Sequence, residues 1–155
     1  MPGSPATPPP FSYEEHPDHP GWMSWEFRDD TRFNAFLGEI IVRVEDGQAR
    51  VRMVPGHRHS NFGDNVHGGA RLGFIDVALF AAMRSFGLMT AGPAVTLDLN
   101  THFIGAGKVG EPLEARIELL RETQRLLFLR GLLVQDAGVV CEFSGTIRKP
   151  SAPRS

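Results

Sequence analysis

One acidic residue interrupts the longest apolar segment of the chain, and this segment most constrains the fold. Between positions 72 and 83 every residue except Asp76 is apolar or glycine. A helix with this pattern is buried on nearly all sides. Burying an unpaired carboxylate is costly, so Asp76 needs hydrogen-bond partners or a functional reason to be there. The segment therefore predicts a central helix that carries either a satisfied core acid or a functional acid.

The start of this helix is rich in glycine. His67 is followed by Gly68 and Gly69. The first backbone N–H groups of a helix have no partner within the helix, and glycine has no side chain to shield them. The positive end of the helix dipole favours negative charge at the same place. An oxyanion donor about two turns from an acid suits acyl transfer.

The rest of the chain predicts strands around this helix. Residues 39–53 alternate around Asp46-Gly47, which predicts a hairpin after a short helix that ends at Gly38. The long helix is predicted over residues 70–86, with Gly87 as its stop. Four strands then follow, at residues 94–103, 112–122, 125–135 and 139–148. The pattern predicts an α+β fold, an antiparallel sheet wrapped around one central helix.

The first of these strands has one apolar and one polar face. Strict alternation places Thr96 on the polar face, together with Asp98, Asn100 and His102. The opposite face holds Val95, Leu97, Leu99, Thr101 and Phe103. A polar face of this kind is either solvated or covered by a partner.

The chain of 155 residues suits a single domain, since a domain of this size buries roughly 70% of its unfolded surface. Residues 1–30 are proline-rich and predict an irregular, partly disordered lead-in whose Trp22 and Trp25 pack on the domain edge. Residues 31–149 form the predicted domain, and residues 150–155 a fraying tail.

Composition excludes several classes of protein. The formal charge of −2, without a dense Lys/Arg run, argues against nucleic-acid binding. No segment has the length of a membrane span or the pattern of a secretory signal, so a cytoplasmic location is expected. The single cysteine, Cys141, cannot form an internal disulfide and is interpreted as a small buried hydrophobe.

At this point the sequence resembles a known family. The run Asn61-x-x-Gly-x-x-His67-Gly68-Gly69, with Asp76 nine residues after the histidine, resembles the hotdog-fold acyl-CoA thioesterases of the phenylacetate-degradation (PaaI-like) type. The resemblance covers roughly residues 33–149, including the hairpin, the His-Gly-Gly helix and the strands after it. It implies a hotdog fold and hydrolysis of an acyl-CoA or aryl-acyl-CoA thioester.

The resemblance also implies roles at the reacting centre. The Gly68 N–H polarises the thioester carbonyl, and Gly69 helps to bind the substrate. Asp76 acts as a general base on water or as a direct nucleophile. Asn61 orients the water or the substrate.

Two further roles come from the same resemblance. His67 supports the site, and Thr96 holds a water molecule through a hydroxyl that reaches the site around the partner subunit's acid. The active sites then lie at the interface of a homodimer, which is expected to pair into a homotetramer. No cofactor is expected, because coenzyme A is part of the substrate.

Other signals lead to weaker hypotheses. The glycine-rich loop at residues 105–110 has dinucleotide-binding spacing but leads into a strand, so it is interpreted as a strand connection. His57 and His59 lack the further ligands that zinc requires, so no metal site is predicted. Two other functions remain open. One is a non-catalytic hotdog domain that binds or senses acyl-CoA, and the other is a hotdog enoyl-CoA hydratase or dehydratase.

Overall fold

The structure is a computed structural model that describes residues 3–6, 10–88 and 92–151. In this part of the chain it has one α-helix, α1 (Gly68–Ser85), and eight strands. The strands are β1 (Phe11–Glu15), β2 (Met23–Phe27), β3 (Ile41–Glu45), β4 (Gln48–Met53), β5 (Val95–Phe103), β6 (Leu113–Glu122), β7 (Leu126–Gln135) and β8 (Gly138–Arg148). Two short 3₁₀ helices span Phe33–Leu37 and His57–His59.

All eight strands form one antiparallel sheet, in the order β1-β2-β3-β4-β6-β7-β8-β5. α1 packs against its inner face through side chains that are fully buried, among them Phe74, Ile75, Ala78, Leu79 and Ala82. The sheet contributes Val42, Ala49, Val51, Met53, Leu113, Ala115, Ile117, Leu127, Leu129, Leu133, Cys141, Phe143 and Ile147. The predicted architecture, an antiparallel sheet around one long helix, is confirmed.

Glycine-containing turns set the ends of these elements as predicted. Asp46 (φ 53°) and Gly47 (φ 74°) form the turn between β3 and β4, in which both central residues have positive φ. Gly87 (φ 73°) follows α1, and the next N–H, of Leu88, returns to the carbonyl of Met83. The loop at residues 105–110 joins β5 to β6, which confirms its interpretation as a strand connection.

The lead-in differs from its prediction. Residues 11–27 are not irregular: β1 and β2 pair as a hairpin, and β2 extends the main sheet beside β3. Trp22 and Trp25 are buried, and Trp25 belongs to the main core. The prediction was wrong because Pro17 and Pro20 lie between the strands rather than within them. The predicted disorder at residues 1–2, 7–9 and 152–155 concerns positions outside the described residues.

None of the helices in the described ranges has both the length and the apolarity that crossing a membrane requires.

Candidate functional site

The face of α1 that points away from the sheet is incompletely covered. Leu72 and Gly73, which precede Asp76 by four and three residues, and Phe80, which follows it by four, form with Asp76 a stripe that is exposed or half-buried. This corrects the expectation that the helix is buried nearly all round, because the sheet covers only one side of it. The carboxylate of Asp76 therefore lies on an accessible face.

Thr96 is the hydrogen-bond partner of this acid. The Thr96 hydroxyl donates to Asp76 Oδ1 at 2.7 Å. The resemblance implied a hydroxyl that reaches the partner subunit's acid, whereas the structure joins Thr96 to Asp76 of its own chain. The sequence therefore predicted the right pair of groups but placed them in different subunits.

A β-bulge turns Thr96 toward the helix. In β5, Thr96 is opposite Ile147 and Asp98 is opposite Thr146, so Leu97 is the extra residue of the strand. An extra residue reverses the facing of every side chain beyond it. Thr96 therefore shares the inner side with Leu99, and the predicted polar face that grouped Thr96 with Asp98, Asn100 and His102 is wrong.

The start of α1 has an open donor, the Gly68 N–H. The Gly69 N–H, predicted to bind substrate, donates to His67 Nδ1 at 2.8 Å. Glycine gives the ring room there, since a Cβ at position 69 would lie 3.1 Å from that nitrogen and the ring would have to shift. Within the described residues, no hydrogen-bond acceptor is found for the Gly68 N–H. His67 thus caps the helix at the Gly69 N–H and leaves the Gly68 N–H available to a ligand.

Asn61 holds the loop that precedes the helix. Its side-chain Oδ1 accepts the Gly63 N–H at 2.9 Å and the Asn65 N–H at 3.1 Å. Because the oxygen is engaged by the loop, the exposed end of the amide is the Nδ2 group, which can only donate. Asn61 therefore offers a second hydrogen-bond donor, not an acceptor, on the loop before the Gly68 N–H.

The donors and the acid lie far apart within one chain. Asp76 follows Gly68 by eight positions, which is about 12 Å along a helix axis. A base acts within about 3 Å of the proton that it removes. One thioester cannot contact both groups of the same chain.

Three residues near the site were not predicted from the sequence. Arg71 donates from Nη1 to the carbonyl of Gly105 at 2.9 Å, and its guanidinium lies over the Phe103 ring. That ring is 3.5 Å from where a Gly68 Cβ would be. Phe33 lies against the helix at Gly73, where a Cβ would be 2.8 Å from its Cζ. A lone glycine within an apolar helix was the available signal for this close approach.

A second group of potential ligands lies away from this helix. Ligand atoms of His16, His19 and Glu39 lie within 4.8 Å of one another. His16 Nδ1 accepts the Asp18 N–H at 3.1 Å, so Nε2 carries the ring proton and faces Glu39 Oε2 at 3.0 Å. A metal at Nε2 would have to displace that proton. The contacts therefore fit a hydrogen-bonded clamp better than a metal site.

The lone cysteine is unsuited to nucleophilic chemistry. Burial raises the pKa of the Cys141 thiol, and the nearby Arg71 offsets this only in part. The thiol is fully buried and stays protonated at neutral pH. This agrees with its interpretation as a buried hydrophobe.

Comparison with known proteins identifies the family. The sequence model of the thioesterase superfamily matches residues 63–142, more than half of the chain, so the chain belongs to that superfamily. No curated protein sequence matches it. The matched region includes the helix start, Asp76 and Thr96.

Solved structures add the type and the fold. A mutant of the phenylacetic acid degradation protein PaaI from Thermus thermophilus is 25% identical, with a TM-score of 0.64 over 76% of this chain and 98% of that one. Zebra fish thioesterase superfamily member 2 is 24% identical, with a TM-score of 0.67 over 79% of this chain and 89% of that one. The protein is a PaaI-like thioesterase, and the predicted hotdog fold is confirmed.

One structural neighbour was solved with coenzyme A. A thioesterase protein with coenzyme A from Streptococcus pneumoniae TIGR4 is 22% identical, with a TM-score of 0.62 over 74% of this chain and 90% of that one. At this identity the likeness concerns the fold alone.

Proposed function

We propose that this thioesterase hydrolyses acyl-CoA or aryl-acyl-CoA thioesters and that Asp76 is its central catalytic residue. The observation that carries the proposal is the half-buried Asp76 carboxylate, which receives the Thr96 hydroxyl at 2.7 Å on the accessible face of α1. The neighbour that holds coenzyme A supports the choice of thioester.

The reaction needs an activated water and a stabilised oxyanion. As general base, Asp76 takes a proton from water while the water oxygen bonds to the thioester carbon. The carbon–sulfur bond then breaks, and the proton passes to the departing thiolate, which leaves free acid and coenzyme A. As nucleophile, the Asp76 carboxylate would instead bond to the thioester carbon and expel the coenzyme A thiolate, and water would then hydrolyse the mixed anhydride to free acid and restore Asp76. Thr96 orients the carboxylate in either route.

The carbonyl oxygen is held at the helix start. The open Gly68 N–H and the Nδ2 group of Asn61 both donate, and the helix dipole favours the charge that develops there. His67 contributes by occupying the Gly69 N–H. We therefore assign His67 to positioning, not to direct contact with the substrate.

The complete site requires two subunits in this proposal. The distance of about 12 Å between Gly68 and Asp76 is too long for one thioester. A two-fold axis that places Gly68 and Asn61 of one subunit beside Asp76 and Thr96 of the other resolves the mismatch. The homotetramer and the cytoplasmic location stay predictions.

The first test is thiol release from a panel of acyl-CoAs that spans phenylacetyl, hydroxybenzoyl and straight-chain groups. General-base assistance contributes about 10²–10⁴ in rate, so Asp76→Asn should lower kcat by at least about 10². Asp136→Asn, at an exposed acid between β7 and β8, is the matched control and should keep activity.

The outcome separates an enzyme from a binding module. Circular dichroism and thermal melting establish that the Asp76→Asn variant is folded. Wild-type protein that binds acyl-CoA tightly without turnover on any substrate would favour the sensing function and contradict this proposal.

A further inference from the structure

Phe33 is a large aromatic residue that packs on the incompletely covered face of α1 and remains exposed. Its side chain is 59% exposed, although it extends from the 3₁₀ helix Phe33–Leu37 onto α1. The ring lies on Gly73 so closely that a Cβ there would be 2.8 Å from Cζ and 3.2 Å from Cε1. The glycine thus provides the space that the ring occupies.

The position of this contact relates Phe33 to the reaction. Gly73 precedes Asp76 by three residues, which is about 4.5 Å along the helix axis and on the same face. Phe33 therefore lies about one turn from the acid of its own chain. Phe33 and Asp76 belong to the same chain, so their separation is the same whether the donor to the thioester oxygen comes from that chain or from the partner subunit.

The surroundings of the ring are apolar. Leu72 and Phe80 lie on the same stripe of α1, and the ring of Phe36 is 6.3 Å away. Such a surface suits a hydrocarbon group better than the amides and phosphates of coenzyme A, which need polar partners.

We infer that Phe33, seated on Gly73, determines the size of the acyl group that the site accepts. This inference rests on the proposed function and adds a residue that the site motif does not contain. The ring occupies the space beside the acid, so a long acyl chain must compete with it. Substrates whose acyl group fits against the ring are processed efficiently, and longer chains are not.

Two independent variants test the role of the ring. Phe33→Ala removes it, and each methylene that is newly buried is worth about fourfold in binding. The ratio of kcat/KM for dodecanoyl-CoA to that for butanoyl-CoA should rise by about tenfold or more over wild type. Gly73→Ala should shift the ratio in the same direction, because the new Cβ displaces the ring, and alanine in place of a helical glycine favours the helix.

The control is an apolar residue on the other side of the sheet. Leu132 of β7 is 40% exposed, whereas the next residue, Leu133, is fully buried in the core, so Leu132 points away from α1. Leu132→Ala should leave the chain-length ratio within about twofold of wild type.

Each outcome has one meaning. An unchanged ratio in folded Phe33→Ala and Gly73→Ala, with active wild type, overturns this inference and leaves the proposed function standing. An equal loss on all acyl-CoAs also overturns it, because the ring would then contact the shared coenzyme A part. Wild-type inactivity on every acyl-CoA overturns the proposed function, and the inference with it.

Discussion

Thr96 is the residue whose role changed most between sequence and structure. Its hydroxyl donates to Asp76, and hydrogen bonds to charged groups contribute about 1.5–3 kcal/mol. Thr96→Val keeps the shape but removes the hydroxyl, so we expect kcat to fall roughly 10- to 100-fold. Thr96→Ser keeps the donor and should stay within about threefold of wild type. Steady-state kinetics of thiol release with one good substrate measures both.

The comparison is informative because the serine variant keeps the hydroxyl that the valine variant lacks. Equal activity of the valine and serine variants would contradict a role for the hydroxyl. If the valine variant melts at the wild-type temperature, its lower activity results from the missing hydroxyl and not from unfolding.

Residue types at the site could be predicted, whereas their orientation could not. The ordered run from Asn61 to Asp76 pointed to the acid and to the oxyanion donor that the proposed function uses. Nothing in residues 95–103 marks Leu97 as the extra residue, because the sequence alternates without interruption. A bulge depends on pairing with β8, which is a tertiary effect. The hydrogen bond from the Gly69 N–H to His67 could not be predicted either, because it depends on the backbone conformation at the start of the helix.

At the scale of elements, the outer face of the sheet carries an ion network centred on Glu114. This residue of β6 is buried and accepts hydrogen bonds from Arg116 and, on β4, from Arg52. Burial alone would raise the pKa of the Glu114 carboxyl. The hydrogen bonds and charges of both arginines outweigh that effect and hold the pKa below its usual value.

The lowered pKa predicts how stability depends on pH. A carboxylate with a lower pKa in the folded state stabilises fully above its unfolded pKa, about 4.3, and that contribution is lost as pH falls through the folded value. Glu114→Gln should therefore cost about 1–3 kcal/mol at pH 7 and progressively less as pH falls below the unfolded pKa of about 4.3. Urea unfolding across this range measures the difference, and a difference independent of pH would contradict the prediction.

The helix and the strands after residue 38 could be predicted from periodicity and turn residues. The hairpin of β1 and β2 could not, although Tyr13, Met23 and Trp25 lie on alternating positions of their strands. Two prolines between the strands, and acids at several positions from Glu14 to Asp30, resembled irregular structure. The hairpin is stable because its aromatic side chains are buried against the main sheet. The residue pattern of each strand taken alone does not reveal that burial.

At the scale of the whole molecule, β5 forms an open edge. Among the described strands it pairs only with β8. Val95, Leu97 and Phe103 on this strand are between 43% and 50% exposed. A long edge strand with exposed apolar residues is normally covered, and a second copy of this chain covers it in the proposed dimer. The sequence pointed to the dimer only through its family resemblance.

A mixed dimer tests whether two subunits build each site. In the proposed arrangement, one site uses Asn61 and Gly68 of one chain with Asp76 of the other. Asp76→Asn removes the acid, and Asn61→Asp keeps the oxygen that holds the loop while removing the Nδ2 donor. Each homodimer should lose at least about 10² in rate.

A heterodimer of these two variants, purified through two different affinity tags, contains one site with both substitutions and one site with neither. Its activity per dimer should therefore recover to about half that of wild type, because the two sites of a symmetric dimer are equivalent. If each site were built within one chain, both sites of the heterodimer would carry a substitution, and activity would stay as low as in the homodimers. Recovered thiol release in the heterodimer alone thus assigns Asp76 and the helix-start donors of one site to different subunits.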